Sequence, residues 1–251
     1  MIVITDIHSH IIPEVDDGSK SLEMSLEILR ASYDSGVRRI ILTPHFRLGM
    51  FETSGEVIRK QYETLKAAAD KEFPEMKLFL GCEFHASMEQ EELLRNPRFF
   101  LADSKYLLLE FSGGDTEHFI RDRVRAAQMM GAKVIIAHVE RIRAISEISG
   151  RKAFGLSSLF NSGNLEFVDE LRRLGAMIQI NADAVLGLDG RDIKKLCQRL
   201  LQEDLVDFIG SDVHDLDERQ THLGACYEHV KNRYGEDTAK RIFVENPSQI
   251  I

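Results

Sequence analysis

Three times in this chain a helical run ends on a glycine and passes at once into a short apolar run: Ser35-Gly36-Val37, Met130-Gly131-Ala132 and Leu174-Gly175-Ala176. A glycine just past the last helical turn closes a helix. Helix, glycine, strand, repeated along the chain, signals parallel βα units. The strands are short apolar runs rather than alternating ones, as strands covered on both faces should be. Seven are expected, over 2–7, 39–43, 77–81, 106–111, 133–137, 176–180 and 205–210. No glycine-rich phosphate loop follows the first, so a barrel fits better than an open nucleotide-binding sheet. The 251 residues match one α/β barrel in size and contain no linker, so one domain over 1–251 is expected.

The connecting helices follow from apolar spacing. Leu22, Leu26, Leu29 and Tyr33 recur at helical intervals before Gly36. Thr53 and Glu56 fit a capping box for a helix running to about residue 72. A short helix over 88–95 stops before Pro97, and longer ones are expected over 116–130, 164–174, 189–202, 221–234 and 237–244. Residues 143–163 are less regular, and 150–163 reads as an insertion of open role.

Composition narrows the function. Apolar residues make up 43% and charged residues 29%, enough for a real core. The net charge of −9 disfavours nucleic acid as a partner. Cys82, Cys197 and Cys226 form neither a disulfide framework nor a C-x-x-C zinc pattern. None has an arginine six positions on (Met88, Glu203 and Asn232 stand there), so a cysteine-based phosphatase loop is absent. No apolar stretch is long enough to span a bilayer and no signal peptide is visible, so a cytoplasmic protein is expected, with no membrane insertion.

The polar residues at the strand ends carry the chemistry. Strand one delivers His8 and His10, strand two His45, strand three Glu83, strand four Glu110, strand five His138 and strand seven Asp212 and His214. In an α/β barrel these ends share one rim, where active sites sit. His8 and His10 alone are a weak signal; the full set is a strong one. Imidazoles and carboxylates without thiolates make a nitrogen and oxygen site suited to manganese, iron or zinc. With Asp17 as a further member, the residues are too many for one ion and call for two or three, with Glu83 able to bridge. Arg47, Arg141 and Arg219 each follow one of these motifs, and a guanidinium fork suits phosphate oxygens. His85, His118, His222 and His229 read as surface or helix histidines.

Asp6-x-His8-x-His10, Pro44-His45, Glu83, Glu110, His138 and Asp212-x-His214 resemble the polymerase-and-histidinol-phosphatase (PHP) superfamily. Ile7-His8-Ser9-His10, Val15-Asp16-Asp17-Gly18, Gly49-Met50-Phe51-Glu52-Thr53, Ala137-His138-Val139-Glu140-Arg141 and Ser211-Asp212-Val213-His214-Asp215-Leu216-Asp217 are similar to the CpsB/YwqE-type bacterial tyrosine phosphatases, with motif order kept from residue 2 to about 250. The resemblance implies an α/β fold, a distorted (β/α)7 TIM-like barrel of the PHP type, and a trinuclear site preferring manganese. Carried over residue by residue, it implies one ion on His8, His10, Glu83 and Asp212. A second would sit on Glu83, Glu110 and His138, and a third on Asp17, His45 and His214. Asp6 would support a histidine, and Asp16 is the weaker member of its pair.

The implied reaction is hydrolysis of a phosphotyrosine monoester by a metal-activated water, with no phospho-enzyme. Arg141 and Arg219 would offset phosphoryl charge, Arg47 would assist binding, and Asp17 or His45 would assist the leaving oxygen. Phe46 and Phe51 offer aromatic surface near His45. The implied partner is the tyrosine-rich tail of a bacterial tyrosine kinase governing capsule or exopolysaccharide assembly. The alternatives are a small-molecule phosphatase, such as histidinol phosphatase, and a metal-binding regulatory module without turnover. The sequence leaves the oligomeric state open.

Overall fold

Two of the seven expected strands are each broken in two. Among the residues described by the computed structural model, 2–147 and 163–251, the strands are β1 (Ile4–Asp6), β2 (Val37–Leu42), β3 (His45–Phe46), β4 (Lys77–Leu80), β5 (Glu83–His85), β6 (Tyr106–Glu110), β7 (Lys133–Ile136), β8 (Met177–Asn181) and β9 (Phe208–Gly210). The first break falls at Thr43-Pro44, where proline has no N–H for a ladder. The second falls at Gly81-Cys82, directly opposite. The halves stay in register, with Leu42 paired to Leu80 and His45 to Glu83. Gly81 N–H donates to the Leu42 carbonyl at 2.8 Å and Glu83 N–H to that of Pro44 at 3.2 Å. Seven strand paths therefore remain, all parallel.

The barrel is distorted where those breaks lie. β4 pairs with β2, while β6 joins only at β5. Against β4 packs a 3-10 turn, Leu101–Asp103, and Leu101 enters the interior. At the opposite seam β1 meets β9 through a parallel bridge between Ser9 and Val213. His10 N–H donates to Val213 O and Asp212 N–H to His8 O, each at 2.9 Å. Asp6 Oδ1 accepts from Ser211 N–H at 3.0 Å and from His8 N–H at 3.2 Å. The expected (β/α)7 barrel holds, with Asp6 supporting His8 through its backbone rather than its ring.

The helices are α1 (Leu22–Asp34), α2 (Gly55–Glu72), α3 (Gln90–Leu93), α4 (Glu117–Met129), α5 (Arg143–Ser146), α6 (Leu165–Arg173), α7 (Ala182–Leu186), α8 (Arg191–Gln202), α9 (Leu223–Tyr234) and α10 (Glu236–Lys240). Ser21, Thr116 and Asn164 cap α1, α4 and α6, each accepting a backbone N–H three residues on. Gly36, Gly131 and Gly175 all take positive φ, at 98°, 88° and 88°, which is why the recurring phrase needs glycine.

Several expectations shift. Ser54, not Thr53, caps α2, accepting Val57 N–H, while Thr53 Oγ1 donates to Val15 O at 2.6 Å. The expected helix over 88–95 contracts to α3, α7 was not foreseen, and the helix expected over 237–244 is α10 followed by a wider π turn, Arg241–Glu245. α5 occupies the start of the stretch read as irregular; most of the rest, including nearly all of 150–163, lies outside the described residues.

Side chains alternate across each strand, and the core is accordingly double. Ile40, Leu42, Leu107, Leu109, Val134, Ile136, Ile178 and Ile180 face the helices. Ile7, Ile41, Leu108, Ile135 and Phe208, with Phe79 and Met177 beside them, give one inward residue from each path. Ile250 and Ile251 join that inner cluster.

Candidate metal centre

The inner face changes character along five of the seven strand paths, those of β1 and β7 excepted. Counting by twos from the apolar inward residues, Ile41 leads to His45, Phe79 to Glu83, Leu108 to Glu110, Met177 to Gln179 and Asn181, and Phe208 to Asp212. The same phase that fills the barrel with apolar side chains places polar ones above them. Gly210 matters here: a Cβ at that position would stand 2.7 Å from His8 Cβ.

Eight of the nine residues expected as ligands fall into three overlapping sets, and His138 lies outside them. His8, His10, Glu83 and Asp212 bring one ligand atom each within 4.8 Å of one another, all buried. His10, Asp17, His45 and His214 form a second set, in which Asp17 is exposed. His45, Glu83 and Glu110 form a third. His8 Nε2 and His10 Nε2 stand 3.2 Å apart, and each lies 3.2 Å from Glu83 Oε2 and 3.4 Å from Asp212 Oδ1. Glu83 Oε2, Asp212 Oδ1, His138 Nδ1 and His214 Nε2 are buried without a hydrogen-bond partner. Lone pairs crowded together and left unpaired in a buried place are the signature of a cation cradle, and nitrogen and carboxylate donors fit a divalent transition metal.

The outer atom of three imidazoles, His8, His10 and His214, is held. Asp16 Oδ2 lies 2.8 Å from His10 Nδ1 and also accepts His45 N–H at 3.0 Å. Gln179 Oε1 lies 3.3 Å from His8 Nδ1 and accepts His138 N–H at 2.8 Å. His214 Nδ1 meets the Asp212 carbonyl at 2.9 Å. Such partners fix which nitrogen carries the proton and aim the other inward. His138 and Asp212, at φ 29° and 54°, hold non-glycine residues in left-handed backbone at the site.

The charges reinforce one another. Burial alone would push the His8 and His10 imidazoles down; the carboxylates of Glu83 and Asp212 around His8, and of Asp16 beside His10, hold both above the usual histidine value. Burial would likewise raise Glu83 and Asp212, yet the surrounding imidazoles keep both well below the carboxylate range. Burial and the charge of His10 bring His214 down to about 4. Glu110 is raised by burial and by Glu83.

Two arginines complete the rim. Arg141 Nη1 donates to Asp212 Oδ2 at 2.6 Å and Arg219 Nη2 to the same oxygen at 2.8 Å. Arg47 stands apart from this pair, with Nη2 3.5 Å from Ser112 Oγ. Phe51 stacks on His45, centroids 4.9 Å apart, and stays partly exposed, whereas Phe46 is buried against Phe84 and Phe99. Of the two aromatics expected to offer surface near His45, only Phe51 keeps part of its ring exposed.

The family described as capsular polysaccharide synthesis, CpsB/CapC, matches residues 4–251. The chain belongs to that family. It is 34% identical over 252 residues to the tyrosine-protein phosphatase CpsB of Streptococcus pneumoniae, and 32% to CpsB of Streptococcus agalactiae serotype V, covering in each case 98% of this chain and 97% of the relative. A solved structure from work on YwqE of Bacillus subtilis and CpsB of S. pneumoniae, named there metal-dependent tyrosine phosphatases, superposes with a TM-score of 0.84 at 28% identity. It covers 98% of this chain and 94% of that one.

Within this CpsB/CapC chain the proximity sets differ in two respects from the grouping implied by resemblance, the first being that His10 also joins Asp17, His45 and His214. The set around Glu110 includes His45; His138 instead reaches Glu83, Nε2 to Oε1 at 2.8 Å. One leftover histidine also reads differently: His85 lies on β5 and meets Ser112 Oγ at 2.9 Å, whereas His222, at the start of α9, is a helix histidine as expected and pairs with Asp183 at 2.7 Å. Of the holding residues, Gln179 and Asn181 are not singled out by sequence, and Asp16 is named only as the weaker member of its pair. For the two β8 residues the available signal was strand phase, two and four places on from Met177. The cysteines are buried, and burial raises all three thiols above their usual value.

Proposed function

We propose that this protein is a metal-dependent phosphatase that hydrolyses phosphotyrosine on protein substrates, with manganese as its preferred metal. The observation that carries the reading is the cluster of buried nitrogen and oxygen atoms on His8, His10, Glu83 and Asp212, with Glu83 Oε2, Asp212 Oδ1 and His214 Nε2 unpaired and two guanidiniums at its edge. The likeness to relatives named tyrosine-protein phosphatases supports the substrate class. His8, His10, Glu83 and Asp212 would hold one ion; His10, Asp17, His45 and His214 a second; Glu83 and Glu110, with His45 or His138, a third.

When bound, divalent ions supply positive charge for phosphoryl oxygens and lower the pKa of a bound water. The chain supplies the rest. Arg141 and Arg219 present guanidinium N–H groups to the equatorial phosphoryl oxygens, where charge accumulates during transfer. Phe51, flat against His45, offers a ring face to the phenyl group of a tyrosine. Leu48 and Met50 are exposed beside it and offer apolar contact to flanking residues. Asp17, exposed at the rim and held in its charged form chiefly by its contact with His214, stays a carboxylate at neutral pH. An ionised carboxylate accepts a proton rather than gives one, so Asp17 would serve the attacking water and His45 would serve the leaving oxygen.

The family's place in capsular polysaccharide synthesis supports a bacterial tyrosine kinase tail as partner. Among the described residues no helix is long and apolar enough to cross a membrane, and we take the site of action to be the cytoplasm. The deciding experiment compares turnover of a phosphotyrosyl peptide and of histidinol phosphate by protein stripped with a chelator and reloaded with manganese. Activity is expected to vanish on stripping, return with manganese and favour the peptide. Activity that survives full metal removal, or a preference for histidinol phosphate, overturns the reading.

A further inference from the structure

β8 is the one strand path that contributes no candidate ligand, yet its side chains touch three of them. Gln179 Oε1 faces His8 and His138, and Asn181 Nδ2 donates to Asp212 Oδ2 at 2.9 Å. We propose that Asn181 is the positioning residue that keeps Asp212 turned toward His8 and His10 while Arg141 and Arg219 leave it for a phosphate group. The proposal rests on the phosphatase reading of this site.

Three donors share Asp212 Oδ2, and they differ in kind. The arginine side chains are 42% and 34% exposed, and each reaches the carboxylate with a single Nη. Most of each guanidinium fork therefore remains open to a better partner, and a phosphate with several charged oxygens is one. Asn181 is 1% exposed. Its Oδ1 accepts Gln179 Nε2 at 2.8 Å, which fixes the amide so that Nδ2 points at Asp212. Its backbone N–H donates to Glu140 Oε1 at 2.9 Å, and Glu140 is itself fully buried. Gln179 is anchored in turn on the Ile180 carbonyl at 2.7 Å. The asparagine cannot follow the arginines outward.

Once phosphate draws off both guanidiniums, the Asn181 amide is the donor left on Oδ2. Without it the Asp212 carboxylate is free to rotate, and Oδ1 swings off the two histidine nitrogens. Loss of Asn181 should therefore weaken the site when an anion is bound and spare it otherwise.

The test measures manganese binding to Asn181→Ala by calorimetry, first in phosphate-free buffer and then with saturating inorganic phosphate, alongside kcat and KM for p-nitrophenyl phosphate. Affinity within about threefold of the unaltered protein is expected without phosphate, and at least ~10-fold weaker binding with it. kcat should fall about 10- to 100-fold while KM changes much less. Asn181→Asp, which keeps the shape and the acceptor toward Gln179 but lacks the donor, should repeat the phosphate-dependent loss, and it decides the matter if the alanine variant melts early. Equal weakening with and without phosphate, or no weakening in either, overturns the role of Asn181. Unaltered protein that needs no metal for turnover overturns the phosphatase reading itself.

Discussion

The two histidine-rich cradles share His10 and are built on opposite terms. In the deep one, His8, His10, Glu83 and Asp212 are all buried, and each is held from behind by Gln179, Asp16, His138 or Asn181. In the outer one, His45 is partly exposed and Asp17 is exposed on a loop. A buried donor set costs more to desolvate but stays oriented; an exposed one is easily exchanged and easily reached. The deep cradle therefore suits permanent loading, and the outer one suits the approach of substrate.

Glu83 and Asp17 are the sharpest way to break that contrast. Glu83 belongs to the deep set and to the Glu110 set, so Glu83→Gln should lower kcat/KM by more than ~10³-fold, whereas Asp17→Asn should cost ~10²-fold or less. Comparable losses in steady-state kinetics would show that depth does not rank the two cradles.

Acidity sharpens the contrast further. In metal-free protein, raised pKa values on His8 and His10 mean that their protons stabilise the fold below the unfolded histidine value, and that this contribution is lost as pH rises through the folded values. Glu83 and Asp212, depressed, contribute above the ordinary carboxylate range and lose that contribution as acid titrates them. A bound cation takes the place of the histidine protons. The gap in Tm between manganese-loaded and chelated protein should therefore widen from about pH 6 to about pH 8. A constant gap would mean that the deep imidazoles do not exchange protons for metal.

The smallest effect belongs to groups outside both cradles. Cys82, Cys197 and Cys226 are buried and their thiols are raised, so replacing all three by serine should leave phosphatase activity within several-fold, measured on folded protein.

How far the sequence reaches can be seen residue by residue. His45, Glu83, Glu110 and Asp212 were legible because each ends an apolar run and sits in the inward phase of its strand. The three helix-closing glycines were legible because positive φ leaves few other choices. Asp16 and Asn181 were not, since an aspartate beside another aspartate and an amide at a strand end carry no signal by type. The pairing of His45 rather than His138 with Glu110 depends on side-chain angles that spacing does not encode. Ser54 displaced Thr53 as cap because Thr53 is drawn to the Val15 carbonyl. The breaks beside Pro44 and Gly81 had a cue in the proline, yet only strand pairing reveals that they lie opposite each other.

The seam between β1 and β9 has a consequence in time. Ser211 Oγ bonds the His8 carbonyl across 203 positions of chain, and Asp6 ties the same two ends together. On the ribosome, His8 and His10 emerge about 200 residues before Asp212. Contacts so distant in sequence form late. Asp212 thus joins the deep cradle last, and a nascent chain that has not yet made that closure offers its ion three members of the set, His8, His10 and Glu83, without the fourth.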